Sequence, residues 1–194
     1  MTNKGFTIVL CFILVALCLS GCGKAGSAAD SSRMEMCSSF EEWERIATDH
    51  GFTSTNSGTG DEALHDYLQY LEGRKNQIND YDHLLEILDN VEEYWRVVNA
   101  AYNCNYYNFS NIEQAQEMFQ YYSDMKWNRI VDAREGKNYS YIITSPGADS
   151  GMYYFIVRID KAVYNCTLIQ NDNEDALDAI RETGFIGFDL MKKN

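Results

Sequence analysis

The chain has 194 residues, with 29 acidic against 16 basic side chains and a formal charge of −13. So acidic a surface repels phosphate backbones and anionic headgroups, so nucleic acid is not an expected partner. Fourteen tyrosines, nine phenylalanines and three tryptophans, with one proline, exclude a disordered chain.

The N-terminus has the three-part order of an export signal. Lys4 supplies a positive start, Phe6 to Leu19 form an apolar run, and Ser20-Gly21-Cys22 follow. The run is shorter than the ~20 residues that span a bilayer. Leu19-Ser20-Gly21-Cys22 resembles a bacterial lipobox, in which the cysteine is acylated and the chain is cut just before it. The resemblance implies a palmitate-type lipid anchor on Cys22 and a place on the extracytoplasmic face of the cell membrane. Removing residues 1–21 takes away Lys4 alone and leaves 173 residues, 15 of them basic and 29 acidic. That is enough chain for one domain with a core.

Residues 22–37 are mostly small and polar and read as a flexible tether, with a single α+β domain over 38–194. Ser39-Phe40-Glu41-Glu42 is a capping box, and Phe40, Trp43, Ile46 and Ala47 fall on one helical face. Gly51-Phe52 suits the helix end. A second helix is expected from Asp61, with Leu64, Tyr67, Leu68 and Leu71 on one stripe. Leu84, Leu88, Val91, Trp95, Val98 and Tyr102 recur at alternating steps of four and three. They predict a third helix, switching to strand near Asn99 to Asn103. Ser110 to Glu113 is another capping box, opening a helix to about Trp127 with Ile112, Ala115, Phe119, Tyr122 and Met125 on one face.

From Tyr139 the pattern turns to strand. Tyr139 to Ser145 is β-branched and aromatic. Met152 to Ile159 and Ala162 to Ile169 are separated only by Asp160-Lys161, which predicts a hairpin pairing Ile159 with Ala162, Val157 with Tyr164, and Phe155 with Cys166. Asp-Lys is not a favoured hairpin dipeptide. Asp172 and Asn173 cap a last helix that closes on Gly184-Phe185. The expected fold is α+β: N-terminal helices, then a small antiparallel sheet of about four strands with helices packed on one face. The arrangement of residues 100–186 is similar to small lipoproteins of Gram-positive bacteria. That resemblance implies no activity, and residues 61–95 depart from it as an inserted helical segment.

Chemistry-bearing motifs are sparse. His50, His65 and His83 show no zinc-helix spacing. The acidic run Asp172 to Asp175 lacks an EF-hand pattern and reads as helix capping. The sequons at Asn108, Asn138 and Asn165 read as chance in a bacterial chain. With Cys22 acylated, Cys37, Cys104 and Cys166 allow one disulfide at most, or free buried thiols. The tyrosine cluster Tyr102, Tyr106, Tyr107, Tyr121, Tyr122, Tyr153 and Tyr154 reads as core and sheet, with protein or glycan recognition as the other use. No catalytic residue, metal ligand or cofactor is expected. The expected function is a membrane-anchored, non-catalytic binding module. Its candidate surface is the outer sheet face at Tyr154, Ile156 and Arg158, and its partner a protein or glycan. The alternative is an envelope enzyme whose site is assembled from distant residues.

Overall fold

The computed structural model describes residues 32–125, 129–147, 151–170 and 172–191. The export signal and Cys22 lie outside them. The centre of the fold is a seven-stranded antiparallel sheet in the order β1-β2-β3-β7-β6-β5-β4. Its strands are β1 (Gly58–Thr59), β2 (Val91–Val98), β3 (Tyr102–Phe109), β4 (Arg129–Glu135), β5 (Tyr139–Ser145), β6 (Tyr153–Ile159) and β7 (Ala162–Leu168). The helices are α1 (Phe40–Asp49), α2 (Gly60–Glu72), α3 (Tyr81–Leu88), α4 (Ile112–Asp124) and α5 (Glu174–Glu182).

This corrects the expected architecture. Helices and strands interleave, seven strands replace about four, and helices cover both faces rather than one. The third helix stops at Leu88, and Val91 to Val98 form β2. The physical reason is two-sided burial. Tyr94 enters the core under α2 and α3, while Trp95 and Val97 enter the opposite core. A strand buried on both faces loses its alternation, and its apolar positions then fit a helical period by coincidence. The expected helix-to-strand switch is a hairpin turn: the Asn99 side chain accepts from the amides of Ala101 and Tyr102, both at 2.9 Å.

Local signals that act within a few residues behave as expected. Ser39 caps α1, accepting from the Glu42 amide at 3.2 Å. Gly51 takes the left-handed region (φ 79°), and the Phe52 amide closes the end on the Ala47 carbonyl at 2.8 Å. α4 starts one residue later than the capping box implies: Asn111 is the cap, bonded by the Gln114 amide at 3.0 Å. The β6–β7 hairpin has the expected register, Ile159↔Ala162, Val157↔Tyr164 and Phe155↔Cys166. Asp160 serves the turn by taking φ 48°, a region that Asp tolerates better than most residues.

One face of the sheet is closed by α1, α5 and the segment leading into α1. Residues 32–37, in the stretch read as tether, lie along the body. The Asn138 side chain clamps Met34, accepting from its amide at 3.1 Å and donating to its carbonyl at 3.0 Å. The Cys37 amide donates to the Thr183 carbonyl at 2.9 Å. The opposite face is covered by α2, α3 and α4.

Candidate functional site

Tyr154, Ile156 and Arg158 alternate along β6 and share one face of the sheet. α4 lies over that face, which places the three residues in different surroundings. Ile156 is only 4% exposed and belongs to the core under α4. Tyr154 is part-buried. Arg158 is 8% exposed and lines the wall of a cleft.

The cleft exists because α4 is one helix over a wide sheet. Ala115, Met118 and Tyr122 point inward, and the helix sits over β3, β6 and β7. β5 and β4 extend past it. The gap between the flank of α4 and these strands has a volume of about 1180 Å³. Phe119 and Ile142 give it apolar wall, while Gln116, Gln120 and Ser123 give hydrogen-bonding wall.

Arg158 is the notable group. Its guanidinium donates through Nη2 to Ser140 Oγ at 3.0 Å and through Nη1 to the Asp160 carbonyl at 3.3 Å. Among the described residues no carboxylate lies within 4.0 Å of it. A guanidinium has five N–H donors, so these two contacts leave capacity for an incoming acceptor. Glu113, Glu117 and Glu135 also line the cleft. The cleft thus sets one buried cation beside apolar wall and three carboxylates.

Other candidate groups are dispersed. His50 Nε2 is 3.1 Å from Glu182, His65 pairs with Gln69 at 2.8 Å, and His83 lies 3.8 Å from Glu117. Hydrogen bonds from His50 and then Arg45 hold the Glu182 carboxyl below its usual range. Among the described residues no group of three or more His, Cys, Asp or Glu is placed to hold a metal ion. Cys104 and Cys166 stand opposite each other on β3 and β7 and form a disulfide, with Cα atoms 4.1 Å apart. Cys37 is a free thiol, pushed up to about 11 by burial and then by the neighbouring Glu42. The tyrosines Tyr102, Tyr106, Tyr107, Tyr121 and Tyr122 are all buried. Sequence reasoning had no use for Asn138 beyond its sequon, and none for Arg96. The clamp on Met34 spans over a hundred residues, so no local pattern signals it. No family model, curated protein or solved structure matches this chain.

Proposed function

We propose that this protein is a lipid-anchored extracytoplasmic binding module, without a catalytic role, that holds a polypeptide partner of the envelope in the cleft beside α4. The observation that carries the reading is the leader: Lys4, the apolar run, then Leu19-Ser20-Gly21-Cys22. Two or more acyl chains give stable anchoring where one is marginal. The Cys104–Cys166 bridge is in keeping with an oxidising compartment. The docking of residues 32–37 limits the reach of the anchor. Ten residue steps from Cys22 to Ser32 extend to at most about 35 Å, so the body works close to the bilayer. The cleft supplies the binding surface through Arg158, Phe119 and Ile142.

Two measurements test the reading. Cys22→Ala should move the protein from the membrane fraction to the soluble fraction and abolish labelling by radioactive palmitate. Persistent labelling rejects the anchor. For the cleft, a photo-crosslinker placed at Gln120 should give a discrete adduct with one envelope protein. Arg158→Met should weaken that adduct by about tenfold, the scale of a lost charged hydrogen bond. An adduct unaffected by Arg158→Met rejects the cleft as the capture surface.

A further inference from the structure

We infer that the gap between α2 and the β1–β2 edge is a second site, which binds a small zwitterion bearing one carboxylate and one ammonium group. The gap has a volume of about 390 Å³ and is lined by Asn56, Ser57, Ala63, Asp66, Tyr67 and Arg96. That is the low end of the ~300–1,000 Å³ typical of ligand pockets, which restricts the occupant to a molecule the size of an amino acid.

Neither charged wall has an oppositely charged partner among the described residues: Arg96 is part-buried and Asp66 stands exposed at the mouth of the gap. Arg96 shares the α2-facing side of β2 with Tyr94, and its guanidinium carbon lies 5.8 Å from the Tyr70 ring centroid. It makes no hydrogen bond to any described residue, and its Nε is sealed from solvent without an acceptor. A ligand in the gap cannot reach that sealed Nε; Nη1 and Nη2, which also lack a protein acceptor, are not sealed and are the donors open to one. Arg74 stands 4.6 Å from the same Tyr70 ring centroid but does not line the gap. Asp66 is on the same helical face as Ala63 and Tyr67, and it has neither an ion pair nor a hydrogen bond among the described residues. Arg96 and Asp66 therefore line one pocket without reaching each other.

A ligand that spans both charges resolves this arrangement. Its carboxylate meets Arg96, whose planar fork suits that group. The Ser57 hydroxyl accepts from the Val98 amide at 3.0 Å, which orients it and leaves its own proton to donate to the same carboxylate. The ammonium group meets Asp66. A plain anion is disfavoured by Asp66, and a plain cation by Arg96. This site is independent of the lipid anchor and of the α4 cleft.

The test is isothermal titration calorimetry on the detergent-solubilised full chain. The probes are the standard L-amino acids, with β-alanine and γ-aminobutyrate to vary the charge spacing. At least one should bind at a single site. Its methyl ester, which lacks the carboxylate, and its N-acetyl derivative, which lacks the ammonium, should each bind at least about tenfold more weakly. Arg96→Met should weaken the zwitterion by a similar factor. Because Arg96 is part-buried, Asp66→Asn is the safer variant: it should weaken the zwitterion about tenfold and leave the N-acetyl derivative unchanged. The proposal is overturned if no probe binds below about 10 mM, if the N-acetyl derivative binds as tightly as the parent, or if Asp66→Asn has no effect.

Discussion

The two faces of the sheet are both rich in aromatic residues, yet they end their polar groups differently. On the face under α1 and α5, the rings of Trp43, Trp95, Tyr102 and Tyr164 interlock. Their polar tips end on backbone. Trp43 and Trp95 donate to the carbonyls of Cys37 and Ser38, both at 2.8 Å, and Tyr102 and Tyr164 donate to those of Trp43 and Cys37, both at 3.2 Å. On the face under α2, α3 and α4, Tyr94 donates to the Asn105 side chain at 2.8 Å and Tyr121 to the Asn79 carbonyl at 2.7 Å, while three further tips end on one another. Tyr122 links Tyr107 at 3.0 Å and Tyr67 at 3.4 Å. The first face is sealed by a stretch of chain that follows the sheet closely. The second is roofed by separate helices, and both gaps described above open beside those helices. Anchoring of those four interlocked rings to backbone goes with closure, whereas the linked hydroxyls of Tyr67, Tyr107 and Tyr122 lie under a roof of independent helices that leaves room for ligands.

The largest expected effect comes from alkali, which attacks both faces together. Burial pushes Tyr106 and Tyr121 up to about 12 and drives Tyr94, Tyr107, Tyr122 and Tyr164 higher still, from an ordinary value of 10. The unfolded chain releases these protons first. Stability is therefore intact below pH 10 and falls above it, by about 1.4 kcal/mol per pH unit for each such tyrosine. Circular dichroism should show one cooperative unfolding step, coincident with a late rise in phenolate absorbance beyond the part contributed by the exposed Tyr70 and the part-buried Tyr81, Tyr153 and Tyr154. If that late rise occurs while the fold persists, the picture of two closed aromatic cores breaks.

Trp43→Ala should come next, lowering stability by about 3–5 kcal/mol in urea denaturation, because a fully buried indole leaves a cavity. A loss under 2 kcal/mol would mean that the first face is less tightly sealed than its contacts imply. Gly184→Ala should cost about 1–3 kcal/mol. Gly184 holds φ 91° after α5, and a Cβ there would meet the Glu35 carbonyl. Hydrogen exchange should locate the damage in residues 32–37, with the α2–α4 face unchanged.

Parts of this comparison can be read in the sequence. The β6–β7 hairpin is legible because register, turn and alternation agree over a few residues. So are Ser39, Gly51, Asn173 and Gly184, whose roles depend only on adjacent backbone. β2 is not legible, because burial of Tyr94 on one side and Trp95 on the other erases its period. β4 is missed for the opposite reason: it is an edge strand, charged and exposed, and such protection against edge pairing resembles a loop. The shared face of Tyr154, Ile156 and Arg158 follows from alternation alone. That α4 roofs Ile156 and leaves Arg158 at a cleft wall follows only from long-range packing.

The two smallest predictions set the faces against each other by removing one hydroxyl from each. Tyr122→Phe takes away the group between Tyr67 and Tyr107. Tyr107 is fully buried, and its hydroxyl then has no partner among the described residues. The expected loss is about 1–3 kcal/mol, that of a stranded buried polar group. Tyr164→Phe removes a hydroxyl whose acceptor, the Cys37 carbonyl, keeps its bond from Trp43. Nothing is stranded, so the loss should stay near 0.5–1.5 kcal/mol, the net worth of one hydrogen bond. Urea midpoints of the two variants, compared at equal slope, decide between them. If Tyr164→Phe proved the more damaging, the hydroxyls on the backbone-anchored face would be the more critical set, and the contrast between the faces would reverse.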